Sequence, residues 1–318
     1  MGFSKAKVKK VFAVILNYNG YEDTLNCLAS LRRETYKELY PLIVDNNSPD
    51  GSGKKLKETL SDVPVILNPE NSGYAGGMNT GARHALSEGA DFVVYVNNDT
   101  EFEGSTISAL VEVAARDKNI GIVSPKVLYL DEREKIYCAG SRYIFWRCGN
   151  VSLGKGTKAS ENCNSEIEIT HAEGACLLIK KEVFEFVGYM SEYFFMYFED
   201  LEYSLRVNKK FKIIFTPKAV MYHQSGAGKS FEQYSKLYHY YFTRNRFLIF
   251  RKHNFLAKIY VFLYSTAITI LKSLAIIKGA TEKGRTFKAI WSGYFTGLAY
   301  MSGIKKLDES KPLIYKNL

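Results

Sequence analysis

The sequence predicts an α/β fold in which a mostly parallel sheet is flanked by helices, followed by a helical C-terminal segment. Two observations lead to this prediction. Over the first 125 residues, short β-rich apolar runs alternate with amphipathic stretches, which is the pattern of βαβ units. From about residue 226 the composition changes to tyrosine, phenylalanine, isoleucine, leucine, lysine and arginine. We therefore expect two parts, residues 1–225 and residues 226–318.

The individual elements follow from these patterns. Turn residues bound four apolar runs, which are the predicted strands 11–16, 42–44, 63–67 and 92–96. Amphipathic stretches predict helices at 22–33, 53–60, 78–88 and 105–116. Residues 126–170 lack a clear period, so we expect short strands and loops there that form an acceptor surface. Regular patterns return in the predicted strands 175–179 and 212–215 and the predicted helices 181–187 and 200–208.

Composition and cysteine usage limit the class of protein. The chain has 318 residues, of which 46% are hydrophobic, so it can bury a large core and is not a disordered protein. An apolar run of only six residues follows the basic opening residues, which is too short for a signal peptide core. We expect the cysteines to be reduced cytosolic thiols, and a metal site made by the last four with His171 is the alternative. The five cysteines are Cys27, Cys138, Cys148, Cys163 and Cys176.

The C-terminal segment combines positive charge with a long apolar stretch. Residues 226–318 carry 16 basic and 4 acidic side chains, a net charge of +12. Lys258 and Lys272 interrupt the apolar stretch 255–277, whereas a membrane-spanning helix needs about 20 apolar residues. We predict a helix that lies on an anionic membrane surface with its lysines snorkelling, and a spanning helix or one packed on the first part is the alternative. So long an apolar stretch argues against a nucleic-acid partner.

Polar residues follow the predicted strands of the first half. The carboxyl ends of parallel strands meet at one edge of a sheet, where open α/β folds bind ligands. An ionised Asp45 only accepts hydrogen bonds, so it suits the imide N–H of uracil or thymine or the hydroxyls of a ribose. The alternative for Asp45 is an Asx-turn or a helix cap. The candidate ligand-binding residues at this edge are Asn17, Asn19, Asp45, Asn47, Asn97 and Asp99.

A glycine-rich stretch joins the third predicted strand to the next helix. Its glycines would let a diphosphate or a sugar approach the backbone near the helix N-terminus. A dinucleotide-binding fold carries such glycines after its first strand, where this chain has only Gly20, so a dehydrogenase is disfavoured. Residues 226–230 resemble the end of a P-loop, but His223 occupies the position of its first glycine. The candidate donor-binding residues of the stretch are Gly73, Gly76, Gly77 and Asn79.

Four residues are candidates for the chemistry itself. Asp99, together with Asn97, offers oxygen ligands for Mg²⁺ or Mn²⁺, and His223 would complete the metal site from another part of the chain. An imidazole ligand favours Mn²⁺. Asp200 opens a predicted helix after an aromatic run, and in a partly apolar wall it would accept the proton of an attacking hydroxyl. The alternative for Asp200 is a helix cap.

In this order, the segments resemble the inverting family 2 glycosyltransferases of the GT-A fold over residues 10–230. The resemblance implies that Asp45 contacts the donor base, that Asp99 ends the metal-binding motif, that Asp200 is the catalytic base and that His223 binds the metal. It also implies direct displacement at the anomeric carbon of a nucleotide diphosphate sugar. The matching motifs are Val44-Asp45-Asn46-Asn47-Ser48, residues 71–77, Asn97-Asn98-Asp99 and the block from Glu173 to Arg206.

The chain departs from the family pattern at three positions. Asn97 replaces the first aspartate of the metal motif, Ser191 stands where an aspartate often precedes Glu192, and Glu202 replaces a common aspartate. An Asn-x-Asp motif is similar to that of rhamnosyltransferase-like members that build bacterial surface polysaccharide. We therefore expect dTDP-rhamnose as the donor, with UDP-galactose or UDP-N-acetylglucosamine as alternatives.

The predicted acceptor is a lipid-linked saccharide, which explains a basic, apolar segment at the cytoplasmic face of the cell membrane. The alternative function is a non-catalytic adaptor that binds carbohydrate or membrane on the same scaffold, because a fold alone does not fix a function. The sequence leaves the oligomeric state open.

Overall fold

The computed structural model describes residues 8–224, 235–279 and 283–315. The predicted division between residues 225 and 226 and the P-loop-like stretch 226–230 lie outside these residues. So do the first seven residues of the basic opening segment.

Within these described ranges, ten strands form one mixed sheet, and two more form a separate hairpin. The strands are β1 (Val11–Asn17), β2 (Leu39–Asp45), β3 (Val65–Leu67), β4 (Phe92–Asn97), β5 (Thr100–Phe102), β6 (Ile120–Tyr129), β7 (Ile136–Cys138), β8 (Ser141–Ile144), β9 (Gly149–Ser152), β10 (Ile167–Ile169), β11 (Cys176–Lys180) and β12 (Lys212–His223). The helices are α1 (Tyr21–Leu31), α2 (Ser52–Thr59), α3 (Gly73–Ser87), α4 (Thr106–Arg116), α5 (Lys181–Phe186), α6 (Glu199–Val207), α7 (Lys236–Ile249), α8 (Phe255–Gly279) and α9 (Lys283–Met301).

The main path of the sheet runs β10-β12-β6-β11-β4-β1-β2-β3. Strand β1 lies between β2 and β4 and is parallel to both, and β2 is parallel to β3. Strand β11 is inserted antiparallel between β4 and β6, and β12 runs parallel to β6. The hairpin of β8 and β9 stands apart from this sheet. The predicted mostly parallel sheet flanked by helices is therefore confirmed.

Two hydrophobic cores cover the two faces of the sheet. Val11, Ala13 and Ile15 of β1 belong to the core that includes buried residues of α1 and α4. Phe12 and Val14 belong to the opposite core, with α3. Because successive strand residues point to opposite faces, a strand covered on both sides is a continuous apolar run. This explains why the sequence marked these strands clearly.

Helix α3 begins at Gly73, five residues before the predicted start, so the prediction of a glycine loop up to residue 77 is wrong. Glycine is a weak helix former, but here it permits close packing of the helix on the sheet. A Cβ added to Gly77 would lie 2.3 Å from Cδ1 of Leu16, and one added to Gly81 would lie 2.2 Å from Cγ1 of Val14. Packing has outweighed local propensity.

Helices α7, α8 and α9 form the C-terminal part, and α9 packs closely along α7. A Cβ on Gly297 of α9 would lie 2.6 Å from the carbonyl oxygen of Arg244 in α7. Within the described residues, Phe255–Ile277 is one helix long and apolar enough to cross a membrane, and about 28% of its most apolar window is buried. Lys272 does not snorkel outward as predicted, because its ammonium lies 5.0 Å from the ring centre of Phe242 in α7.

Candidate active site

The candidate site lies at the carboxyl ends of β1, β2 and β4. After β1 the chain adds β2 on one side of it and later β4 on the other side, so the strand order changes direction at β1. Open α/β folds bind ligands in the crevice at such a point. A cavity of about 330 Å³ occupies this crevice, and Leu16, Tyr18, Gly73 and Tyr74 are among its lining residues. A second cavity of about 250 Å³ lies beside it, and the two share Asn98 and Asp99. Asp99 thus stands where the two cavities meet.

Strand pairing brings two of the predicted metal ligands together. Strand β5 pairs antiparallel with the end of β12, with Thr100 opposite His223. The backbone N–H of Gln224 also donates to the carbonyl of Asp99 at 2.9 Å. As a result, Nε2 of His223 lies 3.1 Å from Oδ1 of Asp99. The Asn97 side-chain amide lies 3.4 Å from the same nitrogen, so the structure brings all three predicted metal ligands together.

The spacing of these groups suits a divalent metal. Two ligands that each lie about 2.1 Å from one ion at right angles are about 3.0 Å apart, close to the separation of Asp99 and His223. The amide of Asn97 presents an oxygen if its two ends are exchanged. The described residues contain no group of three or more His, Cys, Asp or Glu able to hold a metal. The same finding gives no support to the alternative metal site made by the cysteines and His171 within that part of the chain.

Asp200 lies in the first turn of α6, where the helix dipole favours a negative charge. Its Oδ2 accepts a hydrogen bond from the backbone N–H of Gly174 at 3.0 Å, and its Oδ1 accepts one from Leu201 at 2.7 Å. Nε2 of the buried His171 lies 3.3 Å from Oδ2. Burial raises the pKa of Asp200, but the charge of His171 and these hydrogen bonds outweigh it, so the net shift of the pKa is downward.

The neighbouring carboxyl group, Glu199, has a different environment from Asp200. Glu199 is 6% exposed, and its Oε2 has no hydrogen-bond partner among the described residues. Burial and the nearby charge of Asp200 raise the pKa of Glu199 well above its usual range. Asp200 is therefore the ionised member of the pair and the one suited to accept a proton.

Tyr74 links the larger cavity to Asp200 through Gly174. Its hydroxyl donates to the carbonyl of Gly174, whose N–H binds Asp200. Burial raises the pKa of Tyr74, and the negative charges of Asp200 and Asp99 raise it further. The phenol therefore stays a neutral donor near Asp200, and Tyr74 lines the same cavity as Asp99. Sequence reasoning missed this role, because in the glycine-rich stretch the glycines were taken as the candidates and Tyr74 was not.

At the ends of β1 and β2, the structure shows the turn that was the alternative for Asp45. Its Oδ2 accepts from the backbone N–H of Ser48 at 3.0 Å, and its Oδ1 accepts from Nδ2 of Asn17 at 2.6 Å. Asn17 is fully buried and holds these loops together, and a donor contact by Asn17 stays a prediction. A base contact by Asp45 stays a prediction that would require rearrangement of Ser48. Asn19 and Asn47 are exposed at the rim, where they stay candidates.

Of the four candidate residues in the glycine-rich stretch, one lines the larger cavity and three are buried within α3. Gly73 lines the larger cavity at a φ of +73°, and a Cβ there would lie 2.1 Å from the carbonyl oxygen of Phe195. Gly76 and Gly77 are buried within α3 against Ser72 and Leu16, and a donor contact at either stays a prediction.

Asn79, the last candidate of this stretch, is also structural. It is fully buried, its Nδ2 donates to the carbonyl of Met190 at 2.9 Å, and its Oδ1 accepts from the Met190 N–H. A donor contact by Asn79 stays a prediction. Asn46, which we did not single out, instead joins the loops at the cavity edge, because its Nδ2 donates to Gly73 O at 2.9 Å and to Asn71 Oδ1 at 3.0 Å.

Comparison with known proteins gives a family match and named relatives. Residues 12–188 match the sequence model of Glycosyl transferase family 2. The low-salt glycan biosynthesis hexosyltransferase Agl10 of Haloferax volcanii is 30% identical over 204 residues, which cover 62% of this chain and 61% of that protein, less than two thirds of its length. The dTDP-rhamnosyl transferase RfbF of Shigella flexneri is 27% identical, over 77% of this chain and 81% of that protein. The N-acetylglucosaminyl-diphospho-decaprenol L-rhamnosyltransferase of Mycobacterium tuberculosis is 26% identical, over 62% and 70%.

Two solved structures share the fold at low sequence identity. The mannosyltransferase PcManGT from Pyrobaculum calidifontis, in complex with GDP-Man and Mn²⁺, has a TM-score of 0.54 at 16% identity, over 93% of this chain and 86% of that one. GalNAc-T7 with UDP, GalNAc and Mn²⁺ has a TM-score of 0.64 at 16% identity, over 94% of this chain and 57% of that one. These similarities confirm a GT-A type fold.

Proposed function

The chain belongs to Glycosyl transferase family 2, and from that premise we propose that it transfers a sugar with inversion from a nucleoside diphosphate donor to an acceptor hydroxyl, with Asp200 as the base. The observation that carries this proposal is that two adjacent carboxyl groups, Glu199 and Asp200, lie in different environments. Asp200 is held ionised beside His171, whereas Glu199 is buried with a raised pKa. A general base of this kind contributes about 10²–10⁴-fold to the rate.

In the proposed step, the acceptor oxygen attacks the anomeric carbon as Asp200 takes the hydroxyl proton. The bond from that carbon to the donor's phosphate oxygen breaks, and the electron pair leaves with the nucleoside diphosphate. The lowered pKa of Asp200 ensures that it is ionised at neutral pH, although it also makes Asp200 a weaker base. The hydrogen bonds from Gly174 and Leu201 fix the carboxylate for this transfer.

We propose that Asp99, His223 and Asn97 hold Mn²⁺ or Mg²⁺. Their spacing supports this assignment, and an imidazole ligand favours Mn²⁺. When bound, such an ion balances the negative charge on the departing nucleoside diphosphate. The position of Asp99 between the two cavities suits this role, because phosphates in the larger cavity would lie beside it.

For the substrates, we propose dTDP-rhamnose as donor, with a UDP-sugar as the alternative, and a lipid-linked saccharide as acceptor. Two of the similar proteins are named rhamnosyltransferases, and the name of one contains a diphospho-decaprenol. The proposed setting is the cytoplasmic face of the cell membrane in surface polysaccharide synthesis.

The outer face of α8 supports membrane attachment in this proposal. Leu256 is 75% exposed and Leu263 60% exposed, and the face includes further exposed apolar side chains down to Ile277. The inner face is held by α9, because Oγ1 of Thr266 lies 2.6 Å from the hydroxyl of Tyr294. Because α9 is bonded to α8, it would have to enter the bilayer core together with α8. Basic residues of α9 such as Lys288 oppose that entry. We therefore propose that α8 lies in the membrane interface.

The experiment measures thermal stabilisation of the purified protein by dTDP-rhamnose, UDP-galactose and UDP-N-acetylglucosamine, each with Mn²⁺, with Mg²⁺ and with chelator. A ligand that binds the native state raises its stability by RT ln(1 + [L]/Kd). We expect a metal-dependent shift with one donor. Asp200→Asn should keep that shift and lose about 10²–10⁴-fold in transfer rate. Retained transfer would remove Asp200 as base, and no shift with any donor in folded protein would favour the adaptor.

A further inference from the structure

The larger cavity has a wall that the family-matched residues 12–188 do not supply. On the sheet side it is lined by strand ends and by the start of α3. On the opposite side it is lined by two residues of the loop before α6, two of α7 and two near the end of the described chain. These residues are Phe195, Met196, Leu237, Tyr241, Ile314 and Tyr315. This wall is mainly apolar and aromatic.

The two wall residues near the end of the described chain, Ile314 and Tyr315, are fixed in place by contacts of their segment with α7. The backbone N–H of Tyr315 donates to the hydroxyl of Tyr241 at 2.9 Å, and its ring stacks on Tyr240 with centroids 4.0 Å apart. Nη1 of Arg244 donates to the carbonyl of Leu313 at 2.6 Å. Three separate contacts therefore hold these residues against the cavity.

Arg244 also holds the other part of the wall. Its Nη2 donates to the carbonyl of Phe194 at 2.6 Å, so one buried guanidinium joins the chain end to the loop before α6. In that loop Phe195 has a φ of +66° and Tyr197 one of +64°, a strained conformation that persists where surrounding contacts enforce it. The carbonyl of Phe195 accepts the N–H of Tyr74 at 2.7 Å. Hydrogen bonds therefore connect the two parts of the wall to each other, through Arg244, and to the candidate site, through Tyr74.

We propose that the C-terminal segment is a donor-binding wall, in which Ile314 contacts the nucleoside diphosphate and Arg244 is a positioning residue. This inference rests on the proposed function and deepens it. The apolar and aromatic side chains suit the face of a planar base, while the asparagines on the sheet side supply hydrogen bonds. The C-terminal segment therefore completes the donor site in addition to meeting the membrane.

The test compares two isoleucines of the same stretch. Ile314 is 43% exposed and lines the cavity, whereas Ile304 is 82% exposed and does not line it, so both positions tolerate substitution. Dissociation constants for dTDP and UDP are measured by calorimetry with Mn²⁺ for wild type, Ile314→Ala, Ile314→Trp and the control Ile304→Trp. We expect weaker binding by about fivefold in Ile314→Ala, from lost apolar contact. Ile314→Trp should weaken it further by filling the cavity, and Ile304→Trp should match wild type.

The outcomes separate this inference from the function on which it rests. Wild-type binding with unchanged constants in both Ile314 variants overturns the donor-binding wall alone. Equal weakening in the Ile304 control overturns it as well, because the effect would then not come from the cavity. A wild-type protein that binds neither dTDP nor UDP overturns the proposed donors and the wall together.

Discussion

Replacement of Asn245 by alanine tests how the loop before α6, the helix that carries the proposed base, is held. Nδ2 of Asn245 donates to the carbonyls of Met196 at 2.8 Å and Tyr197 at 2.7 Å, and also to that of Phe194, which Arg244 shares. Asn245 is fully buried. Each buried carbonyl left without its donor costs about 1–3 kcal/mol. Two such carbonyls give a loss of about 2–6 kcal/mol in the free energy of unfolding.

In a chain of this size, 1 kcal/mol lowers the melting temperature by about 2 °C, so we expect Asn245→Ala to melt about 4–12 °C below wild type. The matched control is Asn208→Ala, which removes one solvent-exposed bond to the carbonyl of Thr170. It should shift the free energy of unfolding by no more than about 0.5 kcal/mol. Scanning fluorimetry and urea unfolding measure both variants. Equal melting temperatures for the two would refute the reasoning.

Three further variants test the base, the metal ligands and the membrane face. His171→Gln removes the cation that lowers the pKa of Asp200, so that pKa should rise and the acidic limb of the kcat/KM profile should move to higher pH; an unmoved limb would contradict this. Asp99→Asn should abolish the difference between Mn²⁺ and chelator in nucleotide-induced stabilisation, and a persisting difference would place the metal elsewhere. Leu263→Asp should weaken cosedimentation with anionic vesicles by about tenfold or more. Phe186→Asp, at similar exposure on α5, should not change it, and equal losses would argue against a membrane face on α8.

The sequence predicted β1, β4 and β11 because these strands are buried on both faces and appear as apolar runs, but it gave no range for β6 in the middle of the sheet. It also brought Asp99 and His223 into one candidate site, which the pairing of β5 with β12 explains. It failed at the start of α3, where Gly77 reads locally as a loop residue. There the decisive contact is with Leu16, about 60 residues earlier in the chain, and no local pattern reports it.

The hydrogen bonds from Arg244 and Asn245 to the loop before α6 were missed for a related reason. Its partners are backbone carbonyls about 50 residues away, and a carbonyl carries no sequence signature. One signal was present. In α7, Arg244, Asn245 and Arg246 interrupt an aromatic helix with polar side chains, and all three are buried. Polar groups in an otherwise apolar helix must find partners, so such a run predicts a buried network even when its partners are unknown.

The Glu-Asp pair shows why a motif alone does not assign a base. Glu199 and Asp200 are adjacent carboxylates in the first turn of one helix, and by residue type either could accept a proton. The structure separates them, because burial raises the pKa of Glu199, whereas His171 and two backbone N–H groups lower that of Asp200. Pairs of titratable groups whose environments move their pKa values apart mark acid and base roles. The role of Asp200 therefore depends on His171, a residue that lies 29 positions earlier and that the sequence presented only as a possible metal ligand.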